Sequence, residues 1–503
     1  MDLHEYASYD AVGLRTLIAS GAVSAAEVES AAREALAWAH GELNALAAPP
    51  FTPALGHDPQ GPLSGVPFLL KDTGPMAQGV PFRCGSRALG PGIPAAADHE
   101  LMRRFRAAGL ATLGLTISPE LGLSFTTEPV LHGPVRNPWD PSRTVGGSSG
   151  GAAALVAAGA VPVAHANDGA GSIRVPASCC GLVGLKPSRG RTPTGPGLGA
   201  ALFGLLSEFA LTRTVRDAAV LLDAVHGPAH GGSFHVSPPV RPYADEVRLA
   251  GLTGDGGPSA NGRPPDGGRA PGGGLRVAVT TRAWSGVPVD PEVAAVTGRA
   301  AAALAALGHH VEEASPPLRW DDVLHACAVE TVGAAAPFLL APRQPPADRL
   351  EAVSRRVLLA ARERDAVDLI AGLDAAGRVS LDVDRFFTGH DLLVTPTLAQ
   401  LPLPHGTLRY DDPGHTVESW LREIFTFGPF TSVVNVTGQP AVSLPLGQSA
   451  SGLPIGVQII AAHGREDLLL RVAATLEQAM PWHGRRPPLF TGEAPLTGTY
   501  GRQ

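Results

Sequence analysis

The chain has 503 residues, of which 44% are hydrophobic and 17% charged, and its formal net charge is −7. This composition excludes a disordered or fibrous protein, and the scattered basic residues form no stripe of the kind that a nucleic-acid backbone requires. The N-terminus lacks the basic and apolar segments of a secretory signal, so we expect a cytoplasmic protein. The uncharged stretch 144–167 consists mainly of Gly, Ala and Ser and is too weakly apolar to span a membrane, so no membrane partner is expected.

The cysteines follow no metal-binding spacing. Cys84, Cys179, Cys180 and Cys327 form no C-x-x-C pair, and the adjacent Cys179 and Cys180 are poorly placed to bridge each other. We interpret all four as reduced core residues, and we expect neither a metal site nor a structural disulfide.

The N-terminal third predicts alternating helices and strands. Ser24-Ala-Ala-Glu27 is a capping box that opens a helix running to about His40, which indicates a helical hairpin over residues 1–45. Residues 62–71 predict a turn and a short apolar strand that ends on Lys71. A helix from Asp98 to Gly109 and a strand over 110–116 follow. This alternation indicates an α/β fold with a catalytic core over about 60–215.

A low-complexity segment divides the second half of the chain. Residues 251–274 are rich in Gly and Pro and cannot bury enough apolar surface to order themselves, so they predict a flexible surface insertion. Strands are predicted in 275–281, 309–314, 391–397 and 452–461, and helices in 291–308 and 466–479. The second α/β part therefore covers about 275–490 of one domain that spans residues 1–503.

Lysine is rare in this chain. Among 39 basic residues only Lys71 and Lys186 are lysines. Arginine does not lose its proton in a protein, whereas burial can drive a lysine neutral so that it acts as a base. The apolar run before Lys71 would desolvate its amine and lower its pKa. The alternative is a strand-end lysine whose amine reaches water.

Two glycine-rich turns flank a short segment of small residues. The first, residues 146–151, precedes a helix over 149–158, and the second, residues 167–172, follows a strand over 160–164. Helix and strand have nearly equal lengths, so an antiparallel return brings Ser148 and Ser172 close together. Gly169 and Gly171 allow consecutive N–H groups to converge, as a tetrahedral oxyanion requires.

Each turn also has another interpretation. The first turn could hold a phosphate at a helix N-terminus, but it lacks the spacing and the lysine of a P-loop. Gly147-Ser-Ser149-Gly-Gly151 also fits the nucleophile elbow of α/β-hydrolases, with Ser149 as the nucleophile of an esterase. An elbow should follow a buried strand, whereas turn-forming residues 138–143 precede this one.

Several motifs together resemble the amidase signature family. They are GPLSGVPFLLKD, RNPWDPSRTVGGSSGG, DGAGSIRVPASCCGLVGLKPSRGR, and the C-terminal TGQPAVSLPLG and GLPIGVQII, in that order. The resemblance covers nearly the whole chain apart from 251–274. It implies an α/β fold with one mixed central β-sheet flanked by helices on both faces.

The resemblance also implies roles for individual residues. Lys71 corresponds to the catalytic lysine, Ser148 to a bridging serine after a cis peptide, and Ser172 to the nucleophile. Backbone N–H groups of Gly169, Ala170, Gly171 and Ser172 would form the oxyanion hole. The implied reaction is amide hydrolysis through an acyl-serine, with no metal or organic cofactor.

Other residues receive lesser roles. Ala170 stands where the family usually has glycine, so its methyl group could crowd the oxyanion turn. Asp168 and Arg174 are expected to brace the turn that carries Ser172, and Ser149 to join the hydrogen bonds near Ser148. Cys327 is a candidate for the substrate cleft, because the chain resembles relatives that act on aminohexanoate oligomers; the alternative is a small core residue. Lys186 is assigned to structure.

The leading interpretation is a stand-alone amidase for small or medium carboxamides, linear or cyclic. One alternative is the glutaminase subunit of a tRNA-dependent amidotransferase, and another is a non-catalytic anion-binding scaffold. The sequence does not identify the substrate and leaves the oligomeric state open, with a homodimer as one alternative.

Overall fold

The computed structural model describes residues 1–194, 204–228, 231–252 and 274–493. The predicted insertion at 251–274 lies almost wholly outside these residues. The β-strands in the described ranges are β1 (Pro67–Lys71), β2 (Pro81–Phe82), β3 (Ile93–Pro94), β4 (Ala111–Thr116), β5 (Val163–Asp168), β6 (Val183–Lys186), β7 (Ser207–Thr212), β8 (Arg276–Val279), β9 (His310–Glu313), β10 (Leu392–Pro396), β11 (Ala441–Gln448) and β12 (Pro454–Ala461).

The α-helices in the same ranges are α1 (Leu3–Ser8), α2 (Ala11–Ser20), α3 (Ala25–Leu43), α4 (Glu100–Ala107), α5 (Gly150–Ala157), α6 (Arg174–Cys180), α7 (Val215–Val225), α8 (Tyr243–Leu252), α9 (Pro291–Ala306), α10 (Trp320–Gly333), α11 (Ala336–Leu340), α12 (Ala352–Glu363), α13 (Ala366–Gly389), α14 (Val417–Phe427), α15 (Val433–Thr437) and α16 (Glu466–Ala479).

One mixed sheet of ten strands forms the centre of the fold, in the order β4-β1-β5-β7-β6-β11-β12-β10-β8-β9. The pairs at the two ends, from β4 to β5 and from β10 to β9, are parallel, and the middle pairs are antiparallel. Helices α5, α6, α7, α9 and α16 pack on the sheet. The predicted α/β fold with one mixed, helix-flanked sheet is therefore confirmed.

The N-terminal segment differs from the predicted hairpin, because it contains three helices. The side chains of Asp2, Asp10 and Ser24 each accept a backbone N–H at the start of one helix. Ser24 and Glu27 form the predicted capping box. The two additional caps divide the segment before α3 into two helices, where a hairpin has one.

Helix α5 is buried on every side, as its small side chains predict. A Cβ atom at Gly151 would lie 2.6 Å from the Ile117 carbonyl oxygen. The first turn of α5 therefore approaches the backbone of Ile117 at a distance that only glycine allows. The strand after α5 begins three residues later than predicted and includes Asn167 and Asp168. These two residues therefore belong to β5 and not to the second glycine-rich turn.

One segment has the length and composition of a membrane span. Residues 320–340, which include α10 and α11, pass that test, but half of the apolar window is buried inside the protein. Helix α10 packs against α13, α14 and α12, as a core helix does. The absence of a membrane partner and the cytoplasmic location stay predictions.

Candidate active site

Lys71 ends β1 in the middle of the protein. Its side chain is fully buried, and its Nζ donates to Ser148 Oγ at 2.7 Å and to Asn167 Oδ1 at 2.5 Å. Burial lowers the pKa of Lys71 from its ordinary value to about 7, although the carboxylates of Glu208 and Asp168 act in the opposite direction. A large fraction of this amine is therefore neutral near pH 7 and able to accept a proton.

Ser148 lies in the first glycine-rich turn, and the Gly147–Ser148 peptide bond is cis, as the family resemblance implies. Gly147 packs directly on backbone: a Cβ there would lie 2.6 Å from the Ser124 carbonyl oxygen. Gly146 has φ of +76°, in the left-handed region that favours glycine. These close contacts hold the Ser148 hydroxyl against the Lys71 amine.

The two glycine-rich turns are neighbours, as predicted. The Ser149 N–H donates to the Ser172 carbonyl oxygen at 3.3 Å. The Ser172 side chain is buried, and within the described ranges its hydroxyl has no hydrogen-bond partner. Ser172 therefore lies on a turn that contacts the turn of Ser148, and a direct hydrogen bond from Ser172 to Ser148 is not formed in this conformation.

Thr431 contacts the turn before Ser172 at two residues, Ala170 and Gly171. Thr431 Oγ1 donates to the Ala170 carbonyl oxygen at 2.6 Å. Gly171 has φ of +150°, and a Cβ there would lie 2.5 Å from Thr431 Oγ1. Ala170 has no positive φ, so its methyl group imposes no backbone strain on the turn. Gly169 faces open space on its Cβ side.

Asp168 and Arg174 enclose this turn with a fully buried ion pair. Arg174 Nε donates to Asp168 Oδ2 at 2.9 Å, and its Nη2 donates to Asp168 Oδ1 at 2.8 Å. The guanidinium also donates to Gln458 and Asn435. Burial alone would raise the pKa of Asp168, but the Arg174 charge and these hydrogen bonds hold that pKa below its ordinary value.

The chain is similar to known proteins over most of its length. A family model described as Amidase matches residues 22–470. The chain is 39% identical to the 6-aminohexanoate-cyclic-dimer hydrolase of Paenarthrobacter ureafaciens, over 96% of this chain and 97% of the relative. It is 33% identical to an acylamidase of Rhodococcus erythropolis, over 85% and 84%. A solved structure of 6-aminohexanoate cyclic dimer hydrolase matches with a TM-score of 0.84 at 37% identity, covering 97% of this chain and 99% of that one.

The chain belongs to the amidase signature family. It is a hydrolase that acts on amide bonds, as the leading interpretation of the sequence predicts. Neither the glutaminase subunit nor the Ser149 esterase is favoured by any of these matches.

The Ser149 side chain of this amidase contacts the backbone of β5. Its hydroxyl is fully buried and donates to the Asn167 carbonyl oxygen at 3.3 Å. An elbow nucleophile needs a histidine base, and among the residues that the structure describes no histidine bonds to Ser149. The predicted place of Ser149 in the hydrogen bonds near Ser148 agrees with this geometry.

The other two singled-out residues lie in the core of the amidase. Cys327 is buried on α10, and burial together with the nearby Glu330 raises the pKa of its thiol well above the ordinary value. Its assignment to the substrate cleft stays a prediction. Lys186 is buried at the end of β6, and its Nζ donates to the Pro187 carbonyl oxygen at 2.9 Å. That contact fits the structural role assigned to Lys186.

Sequence reasoning did not identify three residues around Lys71. Asn167 contacts the amine directly, while His165 and Glu208 lie next to Asn167 in β5 and β7. His165 and Asn167 are two apart in a strand, so they share one face, which a correctly placed β5 would have indicated. The sequence around Glu208 does not indicate that this residue lies near Lys71, because its position depends on the pairing of β5 with β7.

Proposed function

We propose that this amidase hydrolyses the C–N bonds of small or medium carboxamides through an acyl-enzyme on Ser172, with Ser148 as proton relay and neutral Lys71 as base. The observation that carries this proposal is the 2.7 Å hydrogen bond between Lys71 Nζ and Ser148 Oγ, both of which belong to buried residues. A buried amine with its pKa near 7 is suited to accept a proton at neutral pH.

In the acylation step Lys71 accepts the Ser148 proton while Ser148 accepts the proton of Ser172. The Ser172 oxygen then forms a bond to the amide carbonyl carbon, and the N–H groups of residues 169–172 stabilise the resulting oxyanion. When the C–N bond breaks, Ser148 returns a proton to the leaving nitrogen and Lys71 reprotonates Ser148, so an amine departs.

Deacylation repeats the relay with water. Water adds to the acyl carbonyl while its proton passes through Ser148 to Lys71, and the bond to Ser172 then breaks as the serine regains a proton. The products are a carboxylic acid and an amine, and all proton transfers use groups within this site.

For the substrate, the relatives define the first compounds to test. One is a hydrolase of a cyclic dimer of 6-aminohexanoate and another is an acylamidase. We infer that linear or cyclic amides with unbranched aliphatic segments are the substrate class. A panel of cyclic and linear 6-aminohexanoate dimers, aliphatic amides, anilides and peptide amides would rank them by kcat/KM.

The decisive experiment compares alanine variants of Ser172 and Ser149. Ser172→Ala should abolish turnover and labelling by a fluorophosphonate. Ser149→Ala should remain labelled and active, because Ser149 contributes one hydrogen bond of 3.3 Å to the Asn167 carbonyl. The purified chain alone should hydrolyse the panel, which a glutaminase subunit that needs partners would not do. An active Ser172→Ala variant together with an inactive Ser149→Ala variant would transfer the nucleophile role to Ser149.

A further inference from the structure

A chain of buried polar side chains continues from Lys71 into the sheet. Asn167 accepts from the Lys71 amine, and its Nδ2 donates to the Thr73 carbonyl oxygen at 2.9 Å and to Glu208 Oε1 at 3.4 Å. The other Glu208 oxygen, Oε2, lies 2.6 Å from His165 Nε2. His165 and Glu208 are buried on the adjacent antiparallel strands β5 and β7.

The contacts of His165 determine where its proton lies. The Lys71 backbone N–H donates to His165 Nδ1 at 3.4 Å, so Nδ1 acts as an acceptor and carries no proton. Nε2 must then carry the proton and donate it to Glu208. Burial lowers the pKa of His165, which agrees with a neutral imidazole. The pair therefore consists of a neutral histidine and a negatively charged Glu208.

Glu208 is the carboxylate near Lys71 whose charge has no cationic partner of its own. Asp168, the other carboxylate that affects Lys71, is already paired with Arg174. Within the described residues the ion-pair contact of Glu208 is to His165, which is neutral. A negative charge buried beside an amine favours the ammonium form, because little water is present to screen it.

We propose that Glu208, fixed by His165 and linked to Lys71 through Asn167, is a positioning residue that orients the Lys71 amine and sets the pH at which that amine becomes neutral. The proposal rests on the proposed role of Lys71 as base. Without the carboxylate, burial would make Lys71 neutral at a lower pH and a weaker base toward Ser148. With it, the amine is neutral near pH 7 and still a competent base.

The other groups around Lys71 leave Glu208 as the controlling charge. Asp72, the next residue, has its carboxylate bonded to the N–H groups of Arg83 and Gly85. Burial lowers the pKa of His99, which precedes α4, and the charge of Glu208 acts in the opposite direction. The neighbouring β4 and α5 contain no charged residue, and the buried residues of α3 are all apolar.

The rarity of lysine makes a direct test simple. The protein contains only Lys71 and Lys186, so labelling with [ε-13C]lysine gives two resonances in an NMR titration, and Lys71→Met assigns them. Glu208→Gln should lower the titration midpoint of the Lys71 resonance by about one pH unit. Asn167→Asp, which places a carboxylate against the amine, should raise that midpoint. The pH at which kcat/KM falls on the acid side should follow the Lys71 midpoint, so it should decrease for Glu208→Gln and increase for Asn167→Asp.

Glu466→Gln is the control, because Glu466 is also buried but is paired with Arg191 at 3.0 Å and does not act on Lys71. This variant should leave the Lys71 midpoint in place. A folded Glu208→Gln enzyme with an unchanged Lys71 midpoint, or an Asn167→Asp enzyme whose midpoint falls, would overturn the proposal. A variant could shift the titration midpoint of Lys71 but leave the pH dependence of kcat/KM unchanged. That result would support the role of Glu208 and count against Lys71 as the base.

Discussion

Asp168 and Arg174 form a fully buried ion pair across the turn that carries Ser172. Removing one member leaves the other as an uncompensated buried charge, which costs about 3–5 kcal/mol in comparable sites. We therefore expect Arg174→Gln to lower the free energy of unfolding by about that amount, measured in urea. Arg103→Gln removes an exposed arginine from its pair with Glu100 and should cost about 1 kcal/mol or less. Equal costs for the two variants would contradict this prediction.

The pKa of Lys71 predicts how activity depends on pH. The base must be neutral, so kcat/KM should rise as pH increases through about 7 and fall tenfold per unit well below that value. Stopped assays over pH 5 to 9 measure this limb. Lys71→Arg should be inactive throughout the range, because a guanidinium does not give up its proton. An active Lys71→Arg enzyme would show that the proton is accepted elsewhere.

Much of the site followed from local sequence, and the remainder depended on long-range pairing. A desolvated lysine and two glycine-rich turns are local features that single out Lys71, Ser148 and Ser172, while their catalytic roles rest on the family resemblance and stay predictions. The start of β5 was misplaced, because Ala160 and Val161 are as apolar as strand residues yet precede the strand. Glu208 and Thr431 reach the site from distant parts of the chain, so only the order of strands brings them there.

Thr431 should affect catalysis through the position of the oxyanion turn. Thr431→Val keeps the side-chain shape but removes the 2.6 Å hydrogen bond to the Ala170 carbonyl oxygen. A bond of this kind contributes about 1.4 kcal/mol, so we expect kcat to fall about tenfold while KM changes little. Thr431→Ser retains the hydroxyl and should keep most of the activity. If KM rose and kcat stayed constant, Thr431 would act in substrate binding instead.

Gly151 and Gly298 are both glycines within helices, but their surroundings differ. In α5 a methyl group on Gly151 would lie 2.6 Å from the Ile117 carbonyl oxygen and 2.7 Å from its nitrogen, and backbone cannot yield as a flexible side chain can. In α9 nothing lies within 4 Å of a Cβ on Gly298.

Thermal unfolding should therefore separate the two alanine variants. Gly298→Ala should stabilise the protein by up to about 1 kcal/mol, since alanine favours the helix and restricts the unfolded chain. Gly151→Ala should lower the melting temperature and also reduce kcat, because α5 follows the turn that holds Ser148 against Lys71. A Gly151→Ala enzyme as stable and active as the parent would mean that α5 can move away from Ile117 without disturbing the catalytic serine.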